Sequence, residues 1–444
     1  MKQFFILMVA LFCFISANAV GYKIDVKIKN VELQEIVMAL YWAPNRYHHI
    51  DSTQLDKKGK ATFSGDKALE PGMYLILLDG ERVLDFLISD TINQTFSVEI
   101  NQNKFPDVLK FKGSPENAAF VDYTKFLYEQ QQKEMQLKFS AYHTNDLVSE
   151  LEKQRVDKIR EIHAKYPQTL LSSIVSATQT IKIVNNNFAG YKKHYWDNFP
   201  LTDSRIQNTP IFINWVNNYF TGMIPQIADS IIIEVDNLLS KVEDDTVTLK
   251  YLTDYIFSMY AASPMIGSES VMIHIIDEYY LAGKVKTDDE KYFKEIVNFA
   301  NKYRSTLIGN KAKELKMETI NGMYESLYDI DSPYTLVYFF EPDCGYCRQE
   351  TPKVYKVFEK FKDKGLAGFC VYTQQDKKEW VSYISKNKMY EWTNVWDPKN
   401  ENNFRINYSI YIVPQIYVLN KDKTIVGRGL DSERLEQLLT RLLN

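Results

Sequence analysis

Two cysteines separated by two residues, Cys344 and Cys347, stand between an apolar run at Tyr334 to Phe340 and an amphipathic stretch that continues to Lys364. The order strand, Cys-x-x-Cys, helix restricts the fold of this region more than any other feature of the chain. It places the first sulfur at a helix N-terminus, where free N–H groups and the helix dipole favour an anion. The thiolate is the reactive form of cysteine, so Cys344 is the expected nucleophile. Cys347 falls one turn inside the helix, within disulfide reach of the first. The chemistry that follows is thiol–disulfide exchange: Cys344 attacks a disulfide, and Cys347 resolves the mixed disulfide.

Other uses of the pair fit less well. Structural zinc needs four ligands. The remaining cysteines are Cys13 and Cys370, and Cys370 lies in an apolar strand-like run. All six His precede residue 275, so neither a metal nor a haem is expected. A c-type haem site needs His directly after Cys347, where Arg348 stands. An inert disulfide on a binding or assembly module remains an alternative, because the compartment expected for this chain permits one.

That compartment is read from the first residues. Lys2 precedes an apolar run from Phe4 to Ile15, and Ala17-Asn18-Ala19 has the small-x-small form of a cleavage site. A signal peptide over 1–19 is expected, cut after Ala19, which sends the chain to an exported and periplasmic location. Cys13 would leave with it. No other stretch reaches the roughly 18 uninterrupted apolar residues of a membrane span. With 53 Lys+Arg against 57 Asp+Glu, the net charge of -4 argues against nucleic-acid binding. The 17 Gly and 14 Pro in 444 residues fall below the roughly 7% and 5% of average usage, which points to extensive helix.

Three regions follow the leader. Residues 20–112 carry short alternating runs, such as Ile24, Val26 and Ile28, separated by turn signals at Asp56-Lys57-Lys58-Gly59, Pro71-Gly72 and Asp79-Gly80. They predict a small antiparallel β-sandwich or barrel. Residues 113–305 carry helical periodicities that predict an all-α domain, opened by Ser114 as N-cap and Pro115 at the first position. Its aromatic stripes read as packed core or as the lining of a groove. Residues 306–444 alternate strand and helix in the order β-α-β-α-β-β-α, with a hairpin expected from Tyr411 to Leu419 and Thr424 to Val426. The fold class is therefore multidomain α+β, with an N-terminal β-domain, a helical middle and a C-terminal α/β domain.

The last region resembles the thioredoxin superfamily. Cys344-Gly345-Tyr346-Cys347, Pro352 inside the helix and Val413-Pro414 before a strand carry the resemblance. It implies that Pro414 is a cis-proline facing the active site, and that Val413 and Tyr346 contribute to substrate binding. Cys347-Arg348-Gln349-Glu350-Thr351-Pro352 is similar to the TlpA/ResA-type exported oxidoreductases. By that similarity Glu350 is a buried carboxylate with a raised pKa that takes the Cys347 proton. Two positions depart from the superfamily: Asp343 replaces the usual Trp before the first cysteine, and Tyr338 replaces an acidic residue six before it. The Gly345-Tyr346 pair resembles that of periplasmic disulfide isomerases. Upstream, Asp51 to Asp56 with Gly59 and Phe63, Phe111 to Ser114, and His194 to Pro200 look like the β-domain and helical domain of Bacteroidetes-type thioredoxin-like proteins.

The expected function is an exported thiol–disulfide oxidoreductase that reduces protein disulfides without a cofactor or metal. Its partners would be protein clients and a membrane or periplasmic thiol donor. An isomerase and a scaffold with a structural disulfide are the alternatives.

Overall fold

The computed structural model describes residues 21–43, 46–101, 109–139, 145–179 and 188–443. The expected leader with its cleavage site at Ala19 lies outside the described residues. The chain divides into two compact units, one ending at Met223 and the other starting at Ile224.

The first unit begins with eight strands: β1 (Tyr22–Ile28), β2 (Glu35–Ala43), β3 (Arg46–Gln54), β4 (Lys60–Gly65), β5 (Gly72–Leu78), β6 (Glu81–Ile88), β7 (Thr95–Ile100) and β8 (Leu109–Lys112). They form two four-stranded sheets, in the orders β4-β1-β7-β8 and β3-β2-β5-β6. Alternation along β1 buries Ile24, Val26 and Ile28, which share one apolar cluster with Ile36, Met38, Tyr74 and Phe86 of the other sheet. The expected all-antiparallel pairing is corrected in one place. β1 runs parallel to β7, with Ile24 opposite Phe96 and Val26 opposite Val98. A parallel pair needs a long connection, and the five strands between β1 and β7 supply it. The turn expected at Asp56 to Gly59 joins β3 to β4. Asp56 accepts the N–H groups of Lys58 and Lys60, and Gly59 sits at φ +68°, where a Cβ would lie 2.2 Å from the Ile28 carbonyl oxygen.

Among the described residues the α-helices of this unit are α1 (Pro115–Phe139), α2 (Asn145–Lys165), α3 (Leu170–Ala177), α4 (Phe188–Lys193) and α5 (Pro210–Asn217). Helix α1 starts at Pro115 as read from the sequence, and Ser114 Oγ accepts the Asn117 N–H. Buried Asn117 then fastens α1 to β6 by accepting the Leu87 N–H at 2.6 Å and donating to the Leu87 carbonyl at 2.9 Å. The aromatic stripe resolves as core. Tyr195, Trp196 and Phe199 are buried, and their rings pack on Trp215 at 4.7–6.0 Å.

The second unit opens with α6 (Ala228–Leu239), α7 (Thr246–Ala261), α8 (Ser268–Ile275) and α9 (Glu290–Tyr303). The remainder is a seven-stranded sheet built from β9 (Lys316–Thr319), β10 (Tyr324–Ser326), β11 (Tyr334–Phe340), β12 (Leu366–Tyr372), β13 (Thr393–Trp396), β14 (Gln415–Asn420) and β15 (Ile425–Arg428). Their order is β10-β9-β13-β12-β11-β14-β15. β11, β12 and β13 are parallel, and the flanking strands run antiparallel to their neighbours. Helices α10 (Gly345–Phe361), α11 (Lys377–Asn387), α12 (Phe404–Asn407) and α13 (Ser432–Leu443) follow the strands. Alternate residues of β11 enter two cores. Leu336, Tyr338 and Phe340 pack with Val354 of α10 and Leu435 of α13, while Val337 and Phe339 pack with Phe404 and Tyr417. The hairpin is shorter than read from the sequence: Tyr411 to Val413 stay outside the strand, and β14 starts at Gln415. A proline carries no N–H for the ladder, so pairing begins beyond Pro414.

Candidate active site

Cys344 is the N-cap of α10. Its sulfur accepts the N–H of Cys347 at 3.1 Å and lies 3.4 Å from the Val413 carbonyl oxygen, toward which the thiol donates. The Val413-Pro414 bond is cis. Cys344, Cys347 and Val413 are thus brought together, with Pro414 adjoining. Tyr346 lies in the first turn of α10 and is 55% exposed; Tyr411 and Ile412, just before Val413, are exposed as well.

The two thiols differ in access. Cys344 is partly exposed, whereas Cys347 is fully buried, and both are free. Burial pushes the Cys347 thiol far above its ordinary range, and the hydrogen bond with Cys344 adds to the shift. Cys370 is also fully buried in β12, opposite Tyr338. Pro352 lies inside α10, as expected.

Glu350 is buried, but it does not have the raised pKa expected from its burial. Desolvation does raise it, yet hydrogen bonds from Lys353 and Ser432 outweigh that and hold the carboxyl below the usual glutamate value. Its Oε1 accepts Lys353 Nζ at 2.7 Å, and Oε2 accepts the Ser432 backbone N–H at 3.1 Å. Ser432 is the first residue of α13, so Glu350 joins α10 to the N-terminus of α13, where a negative charge is favourable.

Contacts not legible in the sequence surround the pair. Arg348 folds back so that Nη1 donates to the carbonyls of Pro342 and Asp343, both at 3.1 Å, which fixes the loop before Cys344. Asp343 is drawn aside by Gln374, whose Nε2 donates to Oδ1 at 2.9 Å. Beneath Cys347 lies a buried hydroxyl network. Tyr338 and Tyr383 each meet Thr351 Oγ1, at 2.7 and 2.8 Å, and the Cys347 carbonyl accepts from both Thr351 and Tyr383. A polar cavity of about 520 Å³ opens beside Asp343, lined also by Thr373, Gln374, Asp376 and Arg405. Among the described residues no group of three or more His, Cys, Asp and Glu has an arrangement that could hold a metal ion.

Comparison with known proteins matches three stretches of the chain to families. Residues 308–428 match the AhpC/TSA family. Residues 22–120 and 181–303 match two domains of unknown function, DUF4369 and DUF5106. A thioredoxin-like protein of Haemophilus influenzae is 30% identical over 132 residues, covering 29% of this chain and 75% of the relative. Among solved structures, a domain of a possible thiol-disulfide isomerase from Cytophaga hutchinsonii is 38% identical. That match covers 30% of this chain and 92% of the domain, with a TM-score of 0.29. The thioredoxin domain of a thiol-disulfide oxidoreductase from Bacteroides vulgatus is 28% identical, covering 31% of this chain and 98% of that domain, with a TM-score of 0.30. From the matched family and the Haemophilus relative, the chain belongs to the thioredoxin superfamily, among the thioredoxin-like proteins.

Proposed function

We propose that the protein is exported to the periplasm, where it reduces protein disulfides through Cys344 and Cys347. The observation that carries this reading is the asymmetry of the pair: a partly exposed sulfur at a helix N-terminus backed by a fully buried one. Cys344 attacks a client disulfide, forms a mixed disulfide and releases one client thiol. Cys347 then attacks Cys344, forming the intramolecular disulfide and releasing the second thiol. A thiol donor in the membrane or periplasm returns the pair to the dithiol.

The client lies against the Val413-Pro414 backbone. The Val413 carbonyl already sits at the Cys344 sulfur and is available to a client amide beside the mixed disulfide. Tyr346, exposed on the same turn of α10, offers an apolar contact to the client chain. Glu350 acts in this scheme as a tie between α10 and α13, because an ionised carboxylate occupied by Lys353 and Ser432 is a poor acceptor for the Cys347 proton.

Two measurements test the proposal. Cys344→Ala abolishes turnover of a protein disulfide such as that of insulin, and Cys347→Ala accumulates mixed disulfides on Cys344 in the host envelope, identified by mass spectrometry. Full turnover by Cys344→Ala refutes the redox assignment. Recovery of the protein from the cytoplasmic fraction with residues 1–19 intact refutes the export assignment.

A further inference from the structure

The segment that brings Val413 to the Cys344 sulfur is held from outside the sheet. It leaves α12 through Tyr408, Ser409 and Ile410, all buried, and emerges at Tyr411 and Ile412, which are 57% and 72% exposed. Ser409 lies at φ +54°, a conformation that a residue with a Cβ keeps only where its neighbours hold it. The neighbour is α9. The last carbonyls of a helix have no partner within it, and the Ser409 hydroxyl donates to one of them, that of Lys302. The same lysine reaches the exposed part of the segment. Its Nζ lies 3.7 Å from the centre of the Tyr411 ring and 5.0 Å from that of Tyr303.

An anchor must itself be fixed, and the end of α9 is. Arg428 of β15 has a side chain only 5% exposed. Its guanidinium lies 4.6 Å from the centre of the Tyr303 ring, and its Nη1 is 3.8 Å from Glu269 of α8. Beyond α9, the Gly309 N–H donates to the Ile425 carbonyl and the Ile425 N–H to the Asn310 carbonyl, both at 2.9 Å. The Asn310 side chain donates in turn to the Arg304 carbonyl at 2.8 Å. The contacts form one continuous series. β15 fixes the end of α9, Lys302 of α9 holds Ser409 and Tyr411, and two residues after Tyr411 the Val413 carbonyl meets Cys344.

We infer that Lys302 is a positioning residue for client binding, an assignment that rests on the redox reading above. Through Lys302 the helical segment ahead of the sheet sets the backbone along which the client lies. Lys302 falls within residues 181–303, the stretch matched to a domain of unknown function, which thereby takes a part in the reaction at Cys344. Its ammonium touches neither sulfur. It pins the Tyr411 ring, and with it the two residues that lead to Val413. Without the cation, residues 411–413 sample positions away from Cys344, and a protein client loses its backbone contact while the thiol chemistry persists.

Insulin reduction by the full-length protein, with dithiothreitol restoring the cysteine pair, reads this directly. Lys302→Ala is expected to raise KM for insulin by roughly fivefold, the scale of one lost ammonium–ring contact, with a much smaller change in kcat. That split marks lost binding rather than lost chemistry. Lys302→Arg keeps a cation over Tyr411 and is expected to recover most of the loss. Ser409→Gly accepts the φ of +54° but lacks the hydroxyl, and is expected to raise KM in the same direction. A small aryl disulfide reaches Cys344 with little use of the loop, so its rate should fall less than that of insulin. An insulin KM at the wild-type value in both Lys302→Ala and Ser409→Gly overturns the inference. So does an equal loss with insulin and the aryl disulfide, or a Lys302→Arg no better than Lys302→Ala. If the wild-type protein reduces neither disulfide, the redox reading itself fails; a wild type that reduces both beside unimpaired Lys302 and Ser409 variants refutes the Lys302 assignment alone.

Discussion

The Cys344 sulfur lies 3.4 Å from the carbonyl oxygen of Val413, a residue 69 positions later in the chain. One contact therefore joins the start of α10 to the loop that enters β14. In the proposed function, the Val413-Pro414 backbone is the surface along which a client disulfide meets the nucleophile.

The difference in burial between the cysteines predicts selective alkylation. Native reduced protein treated with iodoacetamide at neutral pH is expected to be modified at Cys344 alone, with Cys347 and Cys370 modified only after denaturation. Peptide mapping reads the outcome, and rapid native labelling of Cys347 contradicts the packing around α10.

Glu350 predicts a pH-dependent tie between helices. Its carboxyl is held below the ordinary value of 4.5, so its contribution to stability is complete above that value and is lost as pH falls through the lower folded-state value. Glu350→Ala is expected to cost about 1–3 kcal/mol at pH 7, because it strips the acceptor from the Ser432 N–H. Urea titrations at several pH values check both points. The gap between wild type and variant should narrow in acid.

Tyr383→Phe removes the hydroxyl that donates to the Cys347 carbonyl and meets Thr351 Oγ1, while keeping the ring stacked on Phe340. The expected loss is about 1 kcal/mol. Chemical denaturation measures it, and an unchanged midpoint would mean the hydroxyl network adds no net stability.

Gly368 in β12 leaves no room for a side chain. A Cβ there would lie 2.3 Å from Trp392 Cδ1. Gly368→Ala is expected to destabilise the protein by roughly 1–3 kcal/mol through displacement of the indole. A lower denaturation midpoint together with a shift in tryptophan emission would report it.

Much of the site was legible because it is local. Cys344 and Cys347 are three apart at a strand-to-helix junction, and helix geometry alone puts the first at the cap and the second one turn inside. Alternation revealed β1, a continuous apolar run revealed β11, and Ser114-Pro115 marked the start of α1. The stretch from Arg46 to Gly65 was legible only as a turn, because the residues of β3 are mostly polar and exposed and carry no clean alternation.

What the sequence determined by itself is the identity and order of the reactive parts: a strand, a cysteine pair, a helix and a later proline. Burial of Glu350 was implied by the resemblance of residues 347–352 to the TlpA/ResA-type proteins, but the lowering of its pKa was not. The Ser432 amide that stabilises its charge is 82 residues away. Likewise the parallel pairing of β1 with β7, and the approach of Thr373 and Arg405 to Glu341, join segments remote in the chain. Short-range geometry follows from backbone sterics and helical or strand periodicity. The partners of a carboxylate or an edge strand depend on which distant surfaces pack, and only the tertiary structure decides that.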